Sequence, residues 1–187
     1  MTFRETISLI KSDFYRTHGK ILPLWKIFLE SFVASAQGQG WILFFRLAQC
    51  DNKCISFFGK VAKRHFSHKH CIDIGTPTKI GKGFYIGHGI CIVINYKTII
   101  GNNVNVSQFV NIGSSDGTYA TIGDNVFIGP HVSIVGGVHI GNNVTIGAGA
   151  VVTKDIPDNA TVVGVPAKVI NYDNPGRYTM NNRWIDF

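Results

Sequence analysis

Two different periodicities divide the chain. In the first seventy residues apolar positions recur three and four apart: Leu24, Ile27, Phe28 and Phe32 form one set, Leu43, Leu47 and Cys50 another. This spacing predicts amphipathic helices, and Gly38 and Gly40 separate the two. A third helix is predicted from about Ile55 to His65, ending in the basic cluster Lys60, Lys63, Arg64, His65, His68, Lys69 and His70. Cys50 and Cys54, one helical turn apart, are expected to face a core.

From Ile72 onward the helical spacing gives way to a period of six. Ile74, Ile80, Ile86 and Ile92 are six apart. After two extra residues come Ile100, Val106 and Ile112, and after four more Ile122, Ile128, Ile134, Ile140, Ile146 and Val152. Nine of these thirteen aliphatic residues are followed by glycine, and small or β-branched residues recur four positions on, as at Thr78, Val104, Val126 and Ala150. A helix cannot keep period six on one face, because 3.6 residues per turn carries the sixth residue to the far side. The pattern predicts a mainly β fold, a parallel β-helix in which each hexapeptide is a short strand and a turn. About eighteen residues close one coil, so thirteen hexapeptides make a little over four coils. The expected organisation is a helical region over 1–70, the β-helix over 71–170 and a tail over 171–187.

Composition narrows the field. Hydrophobic residues are 45% and charged residues 16% of the 187, which excludes a disordered chain. No apolar run approaches the ~18 residues of a membrane-spanning helix; Trp41 to Phe45 is stopped by Arg46. Met1 to Glu5 lacks the layout of a secretory signal, so the cytoplasm is the default compartment and Cys50, Cys54, Cys71 and Cys91 are read as reduced thiols. The net charge of +7 suits a polyanionic partner. Nucleic acid is not expected, since no reading motif accompanies the charge. Lysines 60 to 69 interleaved with Phe57, Phe58 and Phe66 permit peripheral membrane contact.

The repeats, the segment Gly147-Ala-Gly-Ala-Val-Val-Thr-Lys-Asp-Ile-Pro157 and the following Gly164-Val-Pro-Ala-Lys168 resemble the left-handed β-helix of the hexapeptide-repeat acyltransferases. With Ile72-Asp73-Ile74 and Gly87-His88-Gly89, the layout most resembles serine acetyltransferases and related sugar O-acetyltransferases. The resemblance implies a homotrimer, acetyl-CoA as acyl donor, and a hydroxyl or amine acceptor bound between neighbouring prisms. It places a general base on His88 and its orienting carboxylate on Asp73. Cofactor contacts carry over onto Ala148, Thr153, Lys154 and Lys168. Imidazole suits the task, because a hydroxyl is a poor nucleophile until a base takes its proton, and a carboxylate fixes the imidazole tautomer as in a catalytic triad. No metal is expected: the spacing of His65, His68, His70 and Cys71 matches no closed zinc pattern.

The chain departs from the serine acetyltransferase pattern at three places. Gly87 stands where those enzymes carry an aspartate, the Ser114–Thr121 bulge holds Tyr119 and no histidine, and Thr17-His18-Gly19 replaces an aspartate-proline pair. An amino acid acceptor needs an anion for its ammonium group. A sugar hydroxyl of a polysaccharide precursor is therefore the expected acceptor, serine is the alternative, and a non-catalytic trimerisation scaffold is the third reading. His131 is a rival base, expected to be structural within its regular hexapeptide.

Overall fold

A computed structural model describes residues 1–33 and 38–185. Asp186 and Phe187, the end of the predicted tail, lie outside the described residues. Four helices precede the strands among these residues: α1 (Phe3–His18), α2 (Leu24–Val33), α3 (Gln39–Ala48) and α4 (Lys53–His70). α1 has no counterpart in the predicted helices. Its start is set by a capping box, in which the Glu5 amide donates to Thr2 Oγ1 at 3.2 Å and the Thr2 amide to Glu5 Oε2 at 2.8 Å. Cys50 is buried beyond the end of α3, whereas Cys54 is exposed, which corrects the expectation that both face a core. The two flank the turn between α3 and α4 and do not share a helix face.

α3 is the hub of the helical region, with Trp41, Phe44 and Phe45 fully buried. α4 crosses it at Gly59, where a Cβ would lie 2.3 Å from the Ala48 amide nitrogen. A buried ion pair ties the helices to the strands. Arg46 Nε donates to Asp13 Oδ2 at 2.8 Å, and its other nitrogens donate to the carbonyls of Ile80 (2.7 Å) and Gly81 (2.6 Å). Asp13 in turn accepts from the Phe84 amide at 2.8 Å. Burial raises the Asp13 carboxyl, opposed by Arg46 and by that amide.

The strands wind into a parallel solenoid of five coils with three sheets. The first sheet stacks Ile72–Ile74, Ile92–Ile94, Asn111–Gly113, Ser133–Val135 and Val151–Val152. The second and third sheets follow in each coil, and the period-six residues fill the interior, with Ile86, Ile128, Ile134 and Ile146 fully buried. Each buried aliphatic side chain contributes roughly 1.5–3 kcal/mol.

The register differs from the count along the sequence in two places. Ile74 pairs with Ile94, and Ile94 with Ile112, so the two extra residues fall before Ile92 and not after it. Both Ile92 and Ile94 point inward from a strand with alternating burial, so period six alone could not choose between them. The last coil is two residues short: Ile140 pairs with Ile156 and Thr145 with Thr161. It closes a fifth coil where the period-six series stops at Val152.

Lys168–Asn171 turns back antiparallel on Thr161–Val163 and caps the end of the third sheet. The tail then packs back on its own chain. Tyr178 stacks 4.7 Å from Phe127, the Trp184 amide donates to Asn103 Oδ1 at 2.8 Å, and Arg16 donates to the carbonyls of Thr179 and Asn181. Burial lowers the Arg16 guanidinium to about 10.

Candidate active site on the third edge of the prism

The corner between the third sheet and the next coil of the first sheet is the third edge. It is a column of left-handed residues, Cys71, Cys91, Phe109, His131 and Gly149, with φ between 52° and 69°. Each amide from Cys91 upward bonds one coil down, Cys91 to the His70 carbonyl at 2.9 Å, Phe109 to Ile90, His131 to Gln108 and Gly149 to Pro130. Gly87 keeps the ladder by donating to the Val106 carbonyl at 2.8 Å. The two residues between Gly87 and Ile90 are the extra ones. They are His88 and Gly89, both left-handed with φ of 60° and 23°, so the insertion itself carries the predicted base, with His88 exposed and Gly89 buried beneath it.

Asp73 projects outward from the first strand of the first sheet, directly below Val93. One rung of about 4.8 Å and two strand residues separate it from the corner that carries His88. Among the described residues no hydrogen bond joins the two side chains. Asp73 has a closer electrostatic partner in Lys63 of α4, whose ammonium is lowered by burial and raised by Asp73. Lys63 also lies over the Trp41 ring at 5.7 Å. A groove of about 620 Å³ opens between α4 and the first coil, lined by Lys60, Lys63, Arg64, His68, Cys71 and Asp73. His88 does not line it.

The four predicted cofactor residues are all exposed at the C-terminal end of the prism, and they divide into two groups. Ala148 stands on the third edge, where a Cβ on neighbouring Gly149 would meet nothing within 4 Å. Lys168 starts the returning strand, held at the same end because the Ala167 amide donates to the Val151 carbonyl at 2.8 Å. Thr153 and Lys154 lie past the other end of Val151–Val152, about 10 Å across the first sheet. Between His88 and Ala148 the edge carries the Phe109 and His131 rings, stacked 4.6 Å apart at 12°. That stack and the regular ladder amide give His131 a structural place.

Several features of this region were not read from the sequence. Lys63 was counted only as part of a charge cluster, and its approach to Asp73 depends on how α4 lies across the first coil. The Cys71 and Cys91 thiols meet on the third edge, where burial and Cys71 hold the Cys91 thiol above its ordinary value. Their spacing of twenty gives no hint of this until the insertion is placed. Phe66 is buried, so it leaves the exposed aromatic set predicted for α4. His70 stacks on Phe66 at 6.2 Å and is lowered by burial and by Lys69 and His65. Among the described residues no three His, Cys, Asp or Glu side chains converge on a metal position.

The coils, their edges and the helical preface match the left-handed β-helix fold, as the resemblance of the repeats implied. The family described as bacterial transferase hexapeptide (six repeats) matches residues 119–154. The chain is similar to a serine acetyltransferase of Synechococcus elongatus, 37% identical over 103 residues, which cover 53% of this chain and 42% of that protein. Among solved structures it is similar to the Neisseria gonorrhoeae serine acetyltransferase in complex with serine, at 28% identity and a TM-score of 0.69, covering 90% of this chain and 70% of that one. It is also similar to the Brucella abortus serine acetyltransferase in complex with coenzyme A, at 25% identity and a TM-score of 0.73, covering 90% and 68%. The chain spans about half the length of the curated relatives it matches.

Proposed function

We propose that the protein is an acetyl-CoA-dependent O-acetyltransferase with His88 as general base. The observation that carries this reading is the bulge: the coil is interrupted by two residues that the ladder does not use, and one of them is an exposed histidine at the corner one rung from the strand that carries Asp73. The acceptor oxygen attacks the thioester carbonyl carbon as its proton passes to the imidazole, the C–S bond breaks, and the departing thiolate recovers that proton as CoA thiol. Asp73 steadies the imidazolium once the side chains close. The pantetheine arm runs along the third edge. Three rungs separate the Ile90 and Ala148 positions, about 14 Å, which suits an extended pantetheine, and the Phe109–His131 stack gives it a flat wall. Lys168, at the Ala148 end, and Lys154 with Thr153, about 10 Å across the first sheet, meet the separate phosphates of the donor. A neighbouring prism in a homotrimer supplies the other wall of the cleft, consistent with Val93 and Val135 exposed on the first sheet.

For the acceptor, the relatives named above favour serine, and nothing among them supports a role in building polysaccharide. A sugar hydroxyl remains a second reading because of one observation in this chain. Gly87, not a carboxylate, precedes His88, and the Ser114–Thr121 bulge offers Tyr119, which packs against Lys97 at 4.7 Å. The test is release of CoA thiol from acetyl-CoA with serine and with a panel of sugars. Turnover with serine alone selects the first reading, and turnover with sugars alone the second. Failure to bind acetyl-CoA at all leaves a scaffold and overturns both.

A further inference from the structure

The helical region exposes an apolar platform that neither the prism nor the tail covers. On α2, Leu24, Trp25, Phe28, Leu29 and Phe32 are exposed, and of its apolar side chains Ile27 is the one buried among those described. On α4, Phe57, Phe58 and Val61 are exposed, with Trp25 at 69% and Phe57 at 70%. The two helices form one surface. Phe28 packs on Phe32 at 5.1 Å, and Phe32 and Phe58 both pack on buried Phe44, at 5.7 and 5.8 Å.

Charge is arranged around this platform with one sign. At 100° per residue, Lys53, Lys60 and Arg64 fall in a row beside the Phe57–Val61 stripe, and Lys69 falls on its other flank. The row lies on the side facing Asp73, since Lys60 and Arg64 also line that groove. α4 contains no acidic residue. The one acid of α2, Glu30, is held 2.9 Å from His18 Nε2 and 3.8 Å from Lys26 Nζ. Aromatic and aliphatic side chains in the middle with lysine and arginine along the rim are the layout of a helix that lies in a membrane interface. A second copy of this chain fits less well, because it would bring the same basic row against this one. No helix among the described residues is long and apolar enough to cross a membrane, so the contact is peripheral.

We infer that the α2–α4 face docks on an anionic lipid surface, with Trp25, Phe28, Phe57 and Val61 entering the interface and Lys53, Lys60 and Arg64 meeting lipid phosphates. The inference does not depend on the acyl-transfer reading. It places the groove beside Asp73 close to the membrane plane.

The test is flotation of the full chain with phosphatidylcholine vesicles, with and without phosphatidylglycerol, while tryptophan emission is recorded. Trp41 is buried and Trp184 is held edge-on against Tyr15 at 5.5 Å, so the shift is assigned to Trp25 on α2 and should vanish in Trp25→Phe. The protein should float with the anionic vesicles, show a blue shift, and lose binding as salt is raised. Lys60→Gln with Arg64→Gln should weaken binding by about tenfold or more. Phe57→Ser with Leu29→Ser should abolish it while the far-ultraviolet dichroism is unchanged. Three results would overturn the inference: absence from both vesicle fractions, equal binding to neutral vesicles, or self-association in solution that the serine variant abolishes.

Discussion

The second and third edges of the prism are built from the same backbone geometry and used differently. On the second edge, between the second and third sheets, the left-handed residues are Asn103, Asn125, Asn143 and Asn159. Their side chains bond upward, Asn125 Nδ2 to Asn143 Oδ1 at 3.1 Å and Asn143 Nδ2 to Asn159 Oδ1 at 3.0 Å. The residues before them form a second column, in which the amides of Asn102, Asp124 and Asn142 each donate to a side-chain oxygen one coil on, at 2.7 to 2.8 Å. Asparagine tolerates the left-handed conformation, and each polar group finds its partner in the next coil. The third edge has the same turns but holds Cys71, Cys91, Phe109, His131 and Gly149, without a side-chain ladder, and it alone carries the His88–Gly89 bulge. One edge is committed to holding coils together. The other is free to present side chains to a ligand.

Substitutions on the two edges should therefore separate stability from turnover. The largest expected effect is on the third edge. His88→Ala should lower acetyl transfer by about 10²–10⁴-fold, and its urea-unfolding midpoint should match the parent because His88 bonds to nothing in the ladder. On the second edge, Asn143→Ala should cost about 2–3 kcal/mol in urea unfolding, from the left-handed backbone and two lost side-chain bonds. Its turnover per folded molecule should stay unchanged. The smallest effect is expected at the far end of the third edge. Ala148→Glu, bringing a negative charge near the donor phosphates, should raise the KM for acetyl-CoA roughly fivefold with little change in kcat. An unchanged KM would separate Ala148 from the donor path.

How much of this was legible in the sequence follows from the same contrast. The inward aliphatic residues were readable because period six places one in each sheet, and Ile74, Ile80 and Ile86 sit where that count puts them. The site of the first insertion was not readable, since Ile92 and Ile94 are both buried and either satisfies the count. The second-edge ladder did leave a signal, the pairs Asn102-Asn103, Asp124-Asn125, Asn142-Asn143 and Asp158-Asn159, which the aliphatic count overlooked. Pairing across those columns fixes coil lengths of 22, 18 and 16 residues independently of the isoleucines. α1 was legible too, from Thr2-Phe3-Arg4-Glu5 and from Ile7, Ile10 and Phe14. The Asp13–Arg46 pair and the approach of Lys63 to Asp73 were not. They depend on how separate helices settle on the first coil, and no local pattern records that.

For the bulge, the most direct measurement is on a chain lacking His88 and Gly89, which restores a regular hexapeptide at that corner. Acetyl transfer and urea unfolding should be followed on the same preparation. The prediction is a protein at least as stable as the parent with no measurable turnover. Retained turnover would show that the chemistry resides elsewhere, and an unfolded product would show that the two residues serve the coil.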